Sequence, residues 1–124
     1  MKKFICSKVK FIEDRFVVSI VDGTLNLTAG KTMEVIDSVS ASIQEEFSQS
    51  FAGKQITQTL QVEGEFGATI ANRLVFPLIF ELTLSDGRKV IWGDKNTRCK
   101  VKSQNLTAGQ GVMNFERKTT SFLF

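Results

Sequence analysis

Histidine and tyrosine are missing from this chain of 124 residues, and proline and tryptophan occur once each. Without histidine there can be no Ser-His-Asp triad, no Cys-His nucleophile pair and no His-ligated metal site. Two cysteines are too few for a Cys₄ zinc site. Long apolar runs are missing as well. The longest, residues 16–21 and 74–80, are far short of the ~20 residues that cross a bilayer as a helix. Met1-Lys2-Lys3 begins like a signal peptide, but Lys8 and Lys10 break the apolar stretch that such a signal requires. The expectation is therefore a cytoplasmic protein with no membrane segment, no metal and no cofactor. Cys6 and Cys99 are then expected to be free thiols, with a pairing across neighbouring strands left open.

What the chain does contain is ordinary for one globular domain over residues 1–124. It is 42% hydrophobic and 23% charged, with eleven phenylalanines to fill a core. The net charge of +3 is unevenly spread: residues 1–21 carry +3, residues 22–86 carry −6 and residues 87–124 carry +6. Three readings fit that division. They are plain solubility, a nucleic-acid binder using the basic end, and a subunit whose basic face docks on the acidic face of the next copy.

Period-two alternation dominates and predicts strands. Ile5, Ser7, Val9 and Phe11 alternate with Lys8 and Lys10. Ile56, Gln58, Leu60 and Val62 alternate with Thr57, Thr59, Gln61 and Glu63. Asp22-Gly23 and Asp86-Gly87 mark hairpin turns, because glycine accepts a positive φ. The second hairpin turns Phe80, Leu82 and Leu84 inward against Val90 and Trp92. Beyond it Thr97, Cys99 and Val101 face one way and Arg98, Lys100 and Lys102 the other. The segment Ser42-Ile43-Gln44-Glu45 reads as a capping box, and Ile43, Phe47 and Phe51 recur every fourth residue before Gly53, as on a helix. Four is also a multiple of two, and the strand reading is preferred here, with a turn at Ala52-Gly53-Lys54. Residues 68–76, with Ile70 and Leu74 four apart and a stop before Pro77, predict a short helix. Asn26-Leu27-Thr28-Ala29-Gly30 recurs as Asn105-Leu106-Thr107-Ala108-Gly109. This repeat marks either two bends of similar geometry or two pseudo-equivalent halves.

Several chemical motifs fail on spacing. Gly30-Lys31-Thr32 resembles the end of a phosphate-binding loop, but the position five residues before Gly30 is Leu25 and not glycine. The two Asn-Leu-Thr triplets are glycosylation acceptors only on a secretory route. Glu45-Glu46 and Glu63 with Glu65 are paired carboxylates without a nucleophile or metal set nearby, as expected of a solvated face. The cations Arg98, Lys100 and Lys102 could follow a phosphate backbone, with Trp92 and Phe115 as candidate stacking platforms.

The stretch from Phe80-Glu81-Leu82-Thr83-Leu84-Ser85-Asp86-Gly87 through Arg88-Lys89-Val90-Ile91-Trp92, the strand at 97–102, the turn Thr107-Ala108-Gly109-Gln110-Gly111 and Val112-Met113-Asn114-Phe115-Glu116 resembles the phage tail-tube family and the related type VI secretion tube protein. The likeness covers about a third of the chain. It implies a mainly β fold, an antiparallel sandwich or barrel with one short helix. It also implies a homo-oligomeric ring, possibly hexameric, that stacks with other tail proteins into a tube carrying DNA only as cargo. A shorter chain of this kind also suits a capping, connector or completion ring. On this resemblance residues 35–62 form a projecting hairpin. Ser38, Ser40, Ser42, Gln44 and Glu46 then share a polar lumen face with Thr57, Thr59, Gln61 and Glu63, and Phe122 and Phe124 anchor a neighbouring subunit or tuck into the chain's own core.

Overall fold

The computed structural model describes residues 2–21, 23–50, 53–94, 97–120 and 123. Strand β1 (Lys2–Glu13) runs through a 3₁₀ turn (Asp14–Phe16) into β2 (Val17–Val21) and β3 (Thr24–Leu27). The short β4 (Glu34–Val35) precedes two long strands, β5 (Asp37–Ser50) and β6 (Gly53–Glu65). Helix α1 (Ala68–Arg73) follows, and then β7 (Leu78–Leu84), β8 (Lys89–Trp92), β9 (Lys100–Thr107) and β10 (Gln110–Thr119).

The fold is mostly antiparallel β with one short helix, as the alternation predicts. The main sheet has the order β8-β7-β1-β5-β6-β10-β9, with β4 beside β1, and it curls into a half-barrel. Between its two ends Leu78 and Cys99 exchange both backbone hydrogen bonds, at 2.9 and 3.2 Å. The concave side holds the core. Phe11, Phe66, Phe80, Trp92 and Phe115 are fully buried there. The Phe80 ring lies 4.9 Å from Phe115, edge to face, and 5.4 Å from Trp92, spacings at which aromatic rings attract. The inward set of the Asp86-Gly87 hairpin is as expected, with Phe80, Leu82, Leu84 and Trp92 buried and Val90 packed against them.

Residues 37–50 are strand and not helix. Paired with β6 along its whole length, β5 also has β1 on its other side from Ala41 to Glu45. Hydrogen bonding on both edges outweighs a helical repeat that the strand period also satisfies. The hairpin β5–β6 is thus the middle of the sheet, and the projection expected over 35–62 is confined to its tip. Beyond Glu45 on one side and Ile56 on the other, the hairpin runs past the register of β1 and β10. Its tip carries Phe47, 49% exposed. Phe51 and Ala52 lie outside the described residues.

The predicted helix is present but shorter, ending at Arg73, with Leu74 buried and Ile70 packed on the core. Glu13, 3% exposed, fixes it to the sheet. Its carboxylate meets Arg73 Nε at 3.0 Å and Arg15 Nη2 at 2.6 Å, while Arg73 also reaches Glu34 at 3.2 Å. Hairpin β2–β3 forms a separate two-stranded sheet over a second apolar cluster of Ile12, Val17 and Ile79, with Leu25, Leu27, Met33 and Ile91 around it.

The recurring Asn-Leu-Thr-Ala-Gly sequence ends a strand in both places, but the bends differ. Ala108 and Gly109 both have positive φ, +53° and +80°, as a two-residue type I′ hairpin turn requires. In the first copy only Gly30 does, and its strand β3 belongs to the small sheet. The repeat therefore marks two bends of different geometry and not two equivalent halves. Gly111, at φ +148°, opposes Leu106 so closely that a Cβ would collide with the Asn105 carbonyl oxygen.

Two substitutions three residues apart should act with opposite signs. Ala108→Asn relieves a left-handed alanine and is expected to stabilise the fold by about 0.5–1 kcal/mol. Gly111→Ala should destabilise it by more than about 2 kcal/mol. Denaturant unfolding of the two variants measures both.

Candidate interaction face and the seam behind it

Alternation along the central strands gives the sheet one dry face and one wet face. On the dry face Ala41 and Ile43 of β5, Ile56, Leu60 and Val62 of β6, and Met113 and Phe115 of β10 are buried. The residues predicted to share a polar face do so and lie opposite one another. Ser42 pairs with Gln61, Gln44 with Thr59, Glu46 with Thr57 and Ser40 with Glu63. The same rows continue onto the next strands, Gln61 to Asn114 to Ser103 and Thr59 to Glu116 to Lys100. Hydroxyls and amides dominate this face. Ser40 Oγ donates to Glu63 Oε2 at 3.4 Å, and Asn114 Nδ2 donates to Ser103 Oγ at 3.0 Å. Ser38 departs from the expected row. The register of β5 shifts between Ser38 and Ser40 and sets Ser38 opposite Gly64, at a position belonging to the other face. Phe122 and Phe124 lie outside the described residues. Leu123 between them packs against the chain's own core.

The predicted cations Arg98, Lys100 and Lys102 line one cleft of about 750 Å³ together with Lys118, Thr97, Val101 and Glu116. Two of them are compensated: Arg98 Nε meets Asp14 at 2.7 Å and Lys102 Nζ meets Glu116 at 3.3 Å. Thr97, Cys99 and Val101 turn inward as expected. Cys99 is fully buried, Val101 is packed on the core, and Thr97 bonds to Arg117. Trp92 and Phe115, the candidate stacking platforms, are both fully buried and offer no face to a base.

Behind the wet face lies a polar network that joins the two ends of the curled sheet. Arg117 of β10 is its hub. Arg117 Nε donates to the Thr97 carbonyl at 2.9 Å, Nη2 to Thr97 Oγ1 at 2.6 Å and to Asp94 Oδ2 at 3.4 Å, and Nη1 to Gln58 Oε1 at 3.2 Å. Trp92 Nε1 donates to the same Gln58 oxygen at 2.7 Å. Gln58 Nε2 in turn donates to Glu45 Oε2 at 2.9 Å, which also accepts the Leu123 backbone N–H at 2.8 Å. Gln58 is fully buried and Glu45 is 2% exposed. The solvated face expected for Glu45-Glu46 therefore holds for Glu46 alone, since Glu45 points to the opposite, dry face and is buried there. The sequence does carry a signal for this network. Gln58 and Glu45 stand in phase with the apolar residues of their strands, where a polar side chain needs a buried partner.

The two thiols are free and buried. Burial pushes Cys6 up to about 11 and also raises Cys99, against the weaker pull of the Arg117 guanidinium. Among the described residues no three Cys, Asp or Glu side chains group as a metal set, and no helix is long and apolar enough to cross a membrane. Comparisons of the chain with protein-family models, curated proteins and solved structures found no match.

Gln58→Leu orphans the Trp92 indole N–H and one Arg117 N–H, leaves Glu45 Oε2 with the Leu123 N–H in place of two donors, and is expected to destabilise the fold by about 3 kcal/mol. Denaturation followed by the single tryptophan reads this directly. The thiols give a pH test. Because the fold favours the neutral forms of both, their contribution to stability is complete below the unfolded thiol value of 9.0 and falls as pH rises above it, that of Cys6 through about 11. The unfolding midpoint should fall across that window. A thiol reagent at neutral pH should modify both cysteines only after denaturation.

Proposed function

We propose that this chain is a non-enzymatic structural subunit that assembles through its sheet edges into a ring of a phage-like tail tube, or into a related connector or completion ring. The observation that carries the reading is the uncovered polar face of the central strands. Ser40, Ser42 and Gln44 of β5 and Thr57, Thr59 and Gln61 of β6 stand across from one another in register, on a face rich in hydroxyls and amides. The row through Ser42, Gln61, Asn114 and Ser103 holds water and carries no cation, so a polyanion slides past it without being retained.

Two further features support assembly. Among the described residues β9 is paired on one edge only, with β10, apart from the single bridge at Cys99. A free edge is a template for another strand. The tip of the β5–β6 hairpin runs past its neighbours and exposes Phe47, an apolar group placed to meet another copy. A head-to-tail contact of this sort closes into a ring when its rotation divides the circle, and the family resemblance implies six members.

The second reading is a nucleic-acid-binding module acting through Arg98, Lys100 and Lys102, and it rests on the basic cleft. It is weaker on two counts. Arg98 and Lys102 are already ion-paired, and among the described residues no aromatic side chain lines the cleft. A single-strand binder needs stacking platforms as well as charge.

Negative-stain imaging and light scattering over a concentration series test the assembly. Rings or short tubes are expected. A monomer at every concentration that retains DNA in a salt-dependent way would overturn the reading. The double variant Ser42→Lys with Gln61→Lys should still form rings but should retain DNA, because it places phosphate-neutralising charge on the sliding face.

A further inference from the structure

The wet face carries uncompensated charges of opposite sign at its two ends. At one end of β10, Lys118 stands opposite Thr57, and Lys100 of β9 stands opposite Glu116. Both lysines are exposed and, among the described residues, neither makes an ion pair. They line the cleft of about 750 Å³ with Arg98 and Lys102. Lys3 of β1, opposite Gln44, adds a further cation to this end. Glu46 and Glu116 are the carboxylates there, and Glu116 is taken up by Lys102. At the other end Glu63 stands opposite Val112 and Glu65 opposite Gln110. Both are exposed, and their polar partners are neutral: Ser40 for Glu63, and Gln110 Nε2, 2.6 Å away, for Glu65. Along β10 the acidic positions, beside Gln110 and Val112, and the basic ones, beside Glu116 and Lys118, are four to eight residues apart, about 13–26 Å at a strand rise of about 3.3 Å per residue.

We infer that the basic cleft is the docking site for the Glu63–Glu65 end of a second copy of this chain, so that subunits associate head to tail along the strand direction. This rests on the assembly proposed above and adds to its sheet-edge contact a charged one between copies that follow one another along the strands. The physical case is that neither end can satisfy itself. The rows of the sheet are rigid, and separations of about 13–26 Å exceed the screening length of about 8 Å at physiological salt. Within one molecule the two sets of charge therefore hardly feel each other. Between two molecules they meet at contact distance, where like-charged alternatives are repelled. Because the surfaces are different and lie at opposite ends of one face, each copy that is bound presents a fresh site. The contact is heterologous and propagates until it closes on itself or is capped. Neutral Ser42, Gln61, Asn114 and Ser103 between the ends leave the direction of docking to the charges.

Charge reversal tests this with the intact chain. Lys100→Glu with Lys118→Glu, and separately Glu63→Lys with Glu65→Lys, should each weaken self-association at least ~10-fold while leaving the far-ultraviolet spectrum and unfolding midpoint unchanged, since all four side chains are exposed. Mixing the two double variants should restore growth as alternating copies, because each acidic surface of one variant then meets a basic surface of the other at both contacts. Combining all four reversals in one chain should restore growth. Wild-type association should fall steeply between ~0.05 and ~0.5 M salt. If the double variants still form rings like the wild type, the charge contact is wrong and the ring reading stands. If the wild type stays monomeric at every concentration, both fall. If Lys100→Glu with Lys118→Glu abolishes retention of a DNA duplex that the wild type binds, and mixing the two variants rescues nothing, the cleft serves nucleic acid instead.

Discussion

The Arg117 guanidinium holds the molecule's seam. A curled sheet has two ends, and here, among the described residues, their backbones meet directly only at Leu78 and Cys99. The remaining closure is made by side chains. Arg117 reaches from β10 to Thr97 and Asp94 on the segment between β8 and β9, and shares the Gln58 oxygen with the Trp92 indole. In the low dielectric of the interior each of these bonds is strong, and each would be expensive to leave unmade. The network therefore selects a single register among the several that an apolar interface would tolerate. The aromatic stack of Phe80, Trp92 and Phe115 depends on that register, since Trp92 is both a member of the stack and a donor in the network.

Much of this was legible in the sequence because strand alternation reports directly on which face is buried. The inward set of the Asp86-Gly87 hairpin, the opposed polar rows of β5 and β6, and the inward turn of Cys99 all follow from a period of two. Where the period breaks, the reading failed. A register shift moves Ser38 off its row, and no local residue preference announces it. Another, where β9 passes from Val101 to Ser103 against β10, leaves Lys102 beside Glu116. Residues 37–50 were ambiguous because a spacing of four satisfies both periods, and only the neighbouring strands, distant in sequence, decide the matter. The network of Glu45, Gln58 and Arg117 was written in the pattern as polar residues in apolar phase. Which of them would meet depends on the curl of the sheet, and that is a property of the whole fold.

The uneven distribution of charge along the chain also changes meaning in three dimensions. Much of the basic C-terminal third folds onto β9 and β10, while Glu63 and Glu65 of the acidic middle fold beside the far end of β10. Arg98 and Arg117, two of the eight cations of that third, serve the fold through Asp14 and the seam. Lys102 pairs with Glu116 of the neighbouring strand, and Lys100 and Lys118 are left facing solvent. Most of the ion pairs between distant elements, among the described residues, thus fall to arginine. Arg73, Arg98 and Arg117, with their planar forks, make the tertiary ion pairs, while Lys100 and Lys118 remain hydrated on the face.

The small sheet β2–β3 stands apart from all of this. It rests on its own apolar cluster around Ile12, Val17 and Ile79 and is tied at its base by the Thr28 N–H to the Phe16 carbonyl at 2.8 Å. None of its residues belongs to the main core or to the seam. It is an appendage with its own foundation, and it can open in local fluctuations without parting the barrel. Relatives of this chain would have room there to lengthen, shorten or re-decorate a loop. If this family of folds acquires new surface specificity, the stretch from Val17 to Leu27 is where the architecture would let it happen.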